Sequence, residues 1–142
     1  MLLDVNLLLY AANRSAPDHE RAAAWLTQQL TGDQRVGVPW ETLIAFVRLV
    51  TNPRILARPL PATDAWAFVD EWLAVPSVWI PQPTDRHGLV LGELLRRYRL
   101  AGKLVPDAHL AAIAIQHGLD VYSTDTDFAR FSEIRWINPL AE

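Results

Sequence analysis

The sequence predicts an α/β domain of three layers, in which a central, mostly parallel five-stranded sheet lies between helices. The spacing of the apolar residues switches repeatedly between the two-residue period of strands and the longer period of helices, as is typical of this class. Carboxylates recur where strand-like runs end, at Asp4, Glu41, Asp107 and Asp125. Residues just past the carboxyl ends of parallel strands share one edge of the sheet. We therefore expect these four acids to meet.

The first segments alternate between a strand and two helices. Leu2 and Leu3 begin a short buried strand, and Asn6 is placed to cap the helix that follows. A second helix is predicted between Ala22 and Leu30, because its apolar residues are three or four positions apart.

Prolines mark the boundaries between the next strand and the two helices that follow it. Val36 begins the strand, and Pro39 suits the start of a third helix that ends at Asn52. Residues 53–61 form a proline-rich loop. A fourth helix follows and carries its apolar face between Ala65 and Leu73.

The second half repeats the alternation. A third strand around Trp79 lies between two prolines, and the long helix after it ends at Gly102. Pro106 and Asp107 open a compact helix that stops at Gly118. The chain then finishes with a fourth strand, a short turn and a last strand, at residues 120–123, 128–131 and 136–137.

Length and composition narrow the class of protein. The 142 residues suit one domain, spanning 1–142, that can bury a core without metal or disulfide support. Cysteine is absent, no apolar run approaches the ~20 residues of a membrane span, and Asp4 interrupts any signal-peptide pattern. We therefore expect a cytoplasmic protein. The net charge of −3 does not indicate a nucleic-acid binder, so any RNA contact must use local patches.

The converging acids predict a divalent metal site. Carboxylates brought together repel one another and take up protons unless a cation is present. Oxygen ligands without cysteine or histidine favour magnesium or manganese, the ions of phosphate chemistry. Glu41 and Asp107 fall in predicted first helical turns, where the helix dipole lowers the cost of holding a negative charge.

Each acid also has an ordinary structural interpretation, which the sequence leaves open. Asp4 and Asp107 are well placed to be helix caps, and Asp125 and Asp127 could form a turn after the fourth strand. Glu41 is harder to explain in this way, since its neighbour Trp40 is expected to be buried.

The four histidines are not assigned to the site. His109 follows Asp107 by two residues, and positions two apart on a helix point in different directions, so the two should not bind one ion. We expect His109 to pack or to support the site. The other three, His19, His87 and His117, are expected to be structural or solvated.

At this point the chain resembles the PIN-domain ribonucleases, and in particular the VapC toxins of bacterial toxin-antitoxin pairs. The resemblance spans nearly the whole chain and rests on five stretches: Asp4-Val5-Asn6, Glu41, residues 106–112 (PDAHLAA), residues 123–131 (STDTDFARF) and residues 138–140 (NPL). It implies that Asp4, Glu41, Asp107 and Asp125 are catalytic, metal-binding acids, with Asp127 a fifth candidate ligand. Asn6 and Ser123 match positions that support the site by hydrogen bonding.

The same resemblance implies an activity and partners. A protein of this family would hydrolyse RNA phosphodiester bonds with Mg²⁺, for which Mn²⁺ substitutes, and would inhibit translation or growth as a toxin. It would form a homodimer and be inhibited by a cognate small antitoxin protein that enters the active-site groove.

Several side chains are candidates for RNA binding. The basic residues recur at helical spacing or fall in the proline-rich loop, where they could grip phosphates, and Trp40 beside Glu41 could stack on a base. A solvated basic face is the alternative. The candidates are Arg54, Arg58, Arg96, Arg99, Lys103 and Trp40.

Two other functions compete with the ribonuclease. A phosphatase or phospho-acceptor receiver domain also gathers acids at strand ends. A receiver would be expected to show a paired acid after the first strand and a lysine after a late one, whereas the only lysine here, Lys103, ends a helix. A non-catalytic RNA- or protein-binding module of the same fold would be expected to have lost an acid, and none is missing. The sequence therefore favours the nuclease and keeps the binding module as the alternative.

Overall fold

The computed structural model describes residues 1–141 and contains five short strands, six α-helices and one 3₁₀ helix. The first strand and helices are β1 (Leu2–Leu3), α1 (Val5–Ala12) and α2 (His19–Thr31). They are followed by β2 (Val36–Gly37), α3 (Trp40–Val50), α4 (Ala62–Leu73), β3 (Val78–Trp79) and α5 (His87–Tyr98). The chain continues through α6 (Leu104–His117), β4 (Val121–Tyr122), the 3₁₀ helix η1 (Thr126–Arg130) and β5 (Trp136–Ile137).

The five strands form one sheet in the order β3-β2-β1-β4-β5. All four pairings are parallel, where the sequence predicted a mostly parallel sheet. The predicted five-stranded α/β architecture is thus confirmed. Since every strand runs the same way, the carboxyl ends of the central strands β2, β1 and β4 open onto one edge.

Two hydrophobic cores lie on opposite faces of this sheet. Successive residues of a strand point to opposite faces, and the two residues of β1 accordingly enter different cores. Leu3 packs with the apolar faces of α1 to α4, whereas Leu2 packs with α5, α6 and η1. The predicted three layers are therefore present, and the carboxyl edge lies where they meet.

The start of α1 differs from the prediction that Asn6 caps this helix. The cap is Asp4, whose Oδ1 accepts the Val5 N–H at 2.8 Å. Asn6 lies inside the helix, and its Nδ2 donates to Thr124 Oγ1 at 3.1 Å. The helix therefore begins one residue before Asn6, with Asp4 as its cap, and the amide of Asn6 contacts a residue far along the chain instead.

The boundary between α5 and α6 was also predicted wrongly. Gly102 does not end α5, which stops at Tyr98 with Arg99 in the left-handed conformation at φ 51°. The next helix starts at Leu104, so Pro106 and Asp107 lie within its first turn, where a proline displaces no intrahelical hydrogen bond. Gly118 ends α6 at φ 65°, as predicted.

Among the described residues, no helix combines the length and the apolar character needed to cross a bilayer.

Candidate metal centre

Strand ladders place the first acid beside the fourth strand. The Asp4 N–H donates to the Tyr122 carbonyl at 3.0 Å and so extends the β1–β4 ladder by one residue. Ser123, the next residue after β4, is fully buried, and its Oγ donates to Asp4 Oδ2 at 2.6 Å. The same Oγ accepts the Asp125 N–H at 2.9 Å. One buried hydroxyl therefore fixes Asp4 and the start of the Asp125 segment together.

Three carboxylates converge at this edge. Asp107, Asp125 and Asp127 each offer an oxygen, and these three oxygens lie within 4.8 Å of one another. Asp125 Oδ1 accepts the Asp127 N–H at 2.8 Å, which caps η1 and sets the separation of the two side chains. The Arg130 guanidinium lies 3.4 Å from Asp127 Oδ1. Asp107 arrives from the first turn of α6, on the other side of the cluster.

The pKa values of two acids in this site are raised. The pKa of Asp107 is raised to about 7, first by burial and then by the charges of Asp125, Asp4 and Asp127, against a smaller lowering by Arg130. Burial also raises the pKa of Asp4, although the hydrogen bonds from Ser123 and Val5 oppose this. Near neutral pH, full ionisation of this cluster is therefore unfavourable unless a cation offsets the repulsion.

Glu41 faces the cluster from the opposite wall of a cleft. The cleft has a volume of about 160 Å³, and Asp4, Glu41 and Asp107 all line it. Buried Thr42 anchors the first turn of α3 to the end of β1, since its Oγ1 donates to the Leu3 carbonyl at 2.9 Å. The Glu41 side chain is 44% exposed, and its Oε1 lies 2.9 Å from His109 Nε2.

The structure thus brings the predicted acids to one edge of the sheet, but not all of them are equally close to one another. Asp107, Asp125 and Asp127 form the tight group, Asp4 is joined to it through Ser123, and Glu41 stands across the cleft. Asn6 donates to Thr124, one residue before Asp125, so it braces the loop that carries the acids.

The basic RNA-binding candidates are all exposed but lie at different distances from the cleft. Lys103 precedes α6 and stands four residues before Asp107, whereas Arg96 and Arg99 lie at the end of α5. Arg58 lines a depression beside residues 12–15. That depression lies at the far end of α1 from Asp4, about 12 Å along the helix at 1.5 Å per residue. Arg54 lies in the same loop as Arg58.

Trp40 is not buried, contrary to expectation. Its side chain is 39% exposed and stacks on Trp66, with ring centroids 6.4 Å apart and an interplanar angle of 5°. The tryptophan on which it stacks is 41% exposed. Trp40 is therefore accessible on the surface beside Glu41.

Two residues of the cleft region were missed. Arg48 lines the cleft and lies seven residues after Glu41, hence on the same face of α3, a spacing that could have indicated it. His109 was left out because it cannot share an ion with Asp107. That argument remains sound, but it could not show that His109 reaches Glu41 from another element.

The residues present fit a hard divalent cation. The converging donors are carboxylate oxygens, which Mg²⁺ and Mn²⁺ prefer, and their mutual repulsion is what a cation would relieve.

Comparisons with known proteins agree with this geometry. The family model described as PIN domain matches residues 1–134. Ribonuclease VapC37 of Mycobacterium tuberculosis is 43% identical over 140 residues, which cover 99% of this chain and 97% of the relative.

Two solved structures share the fold at lower identity. VapBC2 from Rickettsia felis, bound to a DNA fragment from its promoter, superposes with a TM-score of 0.68 at 16% identity, covering 96% of each chain. VapC20 of Mycobacterium tuberculosis, described as a sarcin-ricin loop cleaving toxin, also gives 0.68, at 21% identity over 94% of this chain and 98% of the other.

Proposed function

The chain belongs to the PIN-domain family, where its relatives are VapC ribonucleases, and we propose that it is a divalent-metal-dependent endoribonuclease that acts as the toxin of a toxin-antitoxin pair. It hydrolyses RNA phosphodiester bonds and thereby inhibits translation or growth. The single observation that carries the proposal is the convergence of Asp107, Asp125 and Asp127 beside Asp4 at the carboxyl edge of the sheet.

We assign the catalytic acids to Asp4, Glu41, Asp107 and Asp125, with Asp127 as a further ligand of the cation. Mg²⁺ is the proposed ion, and Mn²⁺ replaces it, because both accept all-carboxylate donor sets. A divalent cation supplies positive charge that polarises a phosphodiester and makes water more acidic. The chain's own part is to hold the carboxylates in place, through Ser123 at Asp4 and through Asn6 at the loop of Asp125.

The cleft provides a place for the substrate backbone. Arg48 lines it together with Asp4 and Glu41, and Lys103 lies at the start of the helix that carries Asp107. An RNA phosphate that reaches the acids therefore passes a positive side chain. This arrangement offsets the repulsion between the acidic cluster and the polyanion.

The test is cleavage of purified total cellular RNA with Mg²⁺ or Mn²⁺, with a chelator, and by Asp4→Asn. The wild-type chain should give discrete, metal-dependent fragments. Asp4→Asn should give none, because it lowers the charge of the site and weakens the link to Ser123. Asp33→Asn, in an exposed loop, is the matched control and should cleave like the wild type.

The outcomes separate the nuclease from the alternative. Full activity in Asp4→Asn would contradict the site assignment. Metal-independent RNA binding by the folded wild-type chain, without cleavage of any RNA in the pool, would identify a non-catalytic RNA- or protein-binding module instead.

We further propose that this chain, as a single nuclease domain over 1–142, forms a cytoplasmic homodimer that a cognate small antitoxin protein inhibits. Support comes from the solved VapBC2 complex, which shares the fold, and from the PIN match over residues 1–134. Light scattering should give twice the 16.0 kDa mass of the chain. Adding the antitoxin should suppress RNA cleavage.

A further inference from the structure

A chain of polar side chains leads away from Glu41, and the acidic centre does not account for it. Glu41 Oε1 lies 2.9 Å from His109 Nε2, and His109 Nδ1 lies 2.9 Å from His87 Nε2. His87 Nδ1 lies 2.6 Å from Gln116 Nε2. These four residues, which we call the histidine relay, connect α3 with α5 and α6.

The backbone fixes the far end of the histidine relay. Gln116 Oε1 accepts the Thr84 N–H at 2.8 Å, so this atom must be the oxygen of the amide. Gln116 Nε2 donates to the Ala112 carbonyl at 2.8 Å, so that atom must be the nitrogen. A backbone N–H can only donate and a carbonyl can only accept, hence the amide has one orientation.

That orientation determines the hydrogen on every following nitrogen. Because Gln116 Nε2 donates, His87 Nδ1 must accept, and the hydrogen of this ring is on Nε2. His87 Nε2 then donates to His109 Nδ1, so the hydrogen of the second ring is also on Nε2, where it points to Glu41. All donors run in one direction, and both imidazoles are neutral.

A neutral donor at Glu41 orients the carboxylate without cancelling its charge. A charged imidazolium at 2.9 Å would compete with a cation for the same carboxylate. The relay occupies only Oε1. It also joins two layers, because α3 packs in the core with Leu3 whereas α5 and α6 pack in the core with Leu2. The histidine relay therefore connects the helix that carries Glu41 to the helix that carries Asp107.

We propose that His109, His87 and Gln116 are positioning residues, which fix Glu41 across the cleft from Asp107 through a one-way series of neutral hydrogen bonds. The role rests on the proposed metal-dependent function. Its tests, however, include measurements that need neither RNA nor metal.

The first test is the tautomer of each ring, read from long-range ¹H–¹⁵N correlations of the metal-free protein at mildly alkaline pH. His87 and His109 should both carry hydrogen on Nε2 and none on Nδ1. A hydrogen on Nδ1 of either ring, as a tautomer or as an imidazolium, would overturn the proposal.

The second test uses Gln116→Glu, which should reverse the direction of hydrogen-bond donation along the histidine relay without changing Glu41 or either histidine. This change keeps the acceptor for Thr84 but removes the donor to His87, so the ring must turn its hydrogen towards residue 116. Mn²⁺ affinity by calorimetry and kcat on RNA should fall by about 10- to 100-fold, as is typical when a supporting partner of a metal ligand is lost. KM for RNA should be unchanged.

Gln28→Glu is the matched control, since it makes the same charge change on the exposed face of α2. Its Mn²⁺ affinity, kcat and KM should equal those of the wild type. If Gln116→Glu behaves like Gln28→Glu, the positioning role is wrong.

A conservative pair protects the test against a folding defect in Gln116→Glu. His109→Gln keeps an N–H donor near the position of Nε2, whereas His109→Leu fills the space without one. His109→Gln should retain most of the Mn²⁺ affinity and kcat that His109→Leu loses. Equal losses would show that His109 only fills space and would overturn the proposal.

Failure of the two proposals can be distinguished. A wild-type chain that binds Mn²⁺ and carries hydrogen on Nε2 of both His87 and His109, but cleaves no RNA, would refute the nuclease. The positioning of Glu41 would remain intact. A wild-type chain that cleaves RNA while Gln116→Glu cleaves and binds Mn²⁺ equally well would refute the positioning role alone.

Discussion

At the scale of single residues, the carboxylates of the acidic centre repel one another. Asp107 has a pKa of about 7 because it is buried beside Asp125, Asp4 and Asp127. Ser123 opposes the dispersal of this cluster, since its buried hydroxyl bonds both Asp4 and the N–H of Asp125. The metal-free centre is consequently a place where the fold loses stability whenever the carboxylates ionise together.

This cost predicts a pH dependence of the free energy of unfolding. The folded pKa of Asp107 is raised from 3.8 to about 7, so its contribution to stability is full below 3.8 and is lost as the pH rises through about 7. The raised pKa of Asp4 acts in the same direction. With a chelator present, the midpoint temperature of thermal unfolding should therefore decrease as the pH is raised from acidic to mildly alkaline values.

Mg²⁺ should reverse this trend. A cation that binds only the folded state stabilises it, and below a pH of about 7 it must displace the proton on Asp107. The midpoint shift caused by Mg²⁺ should grow with pH. Asp107→Asn should abolish most of that shift and should unfold at a higher temperature than the wild type in chelator at alkaline pH. An equal Mg²⁺ shift at acidic and alkaline pH would contradict the role of Asp107.

At the scale of elements, the connection between α5 and α6 sets where Asp107 projects. Arg99 adopts φ 51° and donates its N–H to the Leu95 carbonyl, which ends α5 in a left-handed turn. The next helix, α6, starts at Leu104, so that Asp107 falls in its first turn. A left-handed residue with a Cβ costs about 1–2 kcal/mol, so this turn is strained.

Arg99→Gly should stabilise the protein. Removing the Cβ relieves the left-handed strain of about 1–2 kcal/mol, and the greater entropy of glycine in the unfolded chain cancels about half of it. We expect a gain of about 0.5–1 kcal/mol in urea unfolding. Arg96→Gly, inside the last turn of α5, is the matched control and should destabilise by about 1 kcal/mol. A loss of stability in Arg99→Gly would show that its side chain contributes more than the strain.

At the scale of the whole molecule, the charge distribution matters more than the net charge of −3. The carboxyl edge of the sheet carries the acids together with Arg48 and Lys103. Arg35 precedes β2, and its guanidinium lies 4.3 Å from the centre of the Trp79 ring on the edge strand β3. RNA held for cleavage should therefore contact Arg48 and Lys103 and not Arg35.

The salt dependence of RNA binding, measured in the cleavage-deficient Asp4→Asn background, can test which cations contact RNA. Lys103→Ala should weaken single-stranded RNA binding and lower the slope of log affinity against log salt by about 0.7, the value for one lost phosphate contact. Arg35→Ala should leave both quantities unchanged. Fluorescence anisotropy over a salt series provides the measurement. Equal effects of the two substitutions would indicate a diffuse attraction without a directed RNA path.

The sequence by itself determined the fold class and the edge at which the acids lie. Both follow from local patterns: the alternating apolar periods predicted a parallel α/β sheet, and parallel strands bring their carboxyl ends to one edge. Asp4, Glu41, Asp107 and Asp125 could therefore be placed near one another without knowledge of any distance. The end of α6 at Gly118 was also local, because glycine readily adopts the left-handed conformation.

Only the tertiary structure decided how these residues are held. Asp4, and not Asn6, caps α1, and the amide of Asn6 instead donates to a hydroxyl 118 residues away. Ser123 reaches Asp4 across 119 residues, and Gln116 fixes a relay that ends at Glu41 on another helix. Such hydrogen bonds require atoms to approach within about 3 Å. A sequence pattern fixes the face on which a side chain lies, but the approach of two distant segments depends on how the whole chain packs.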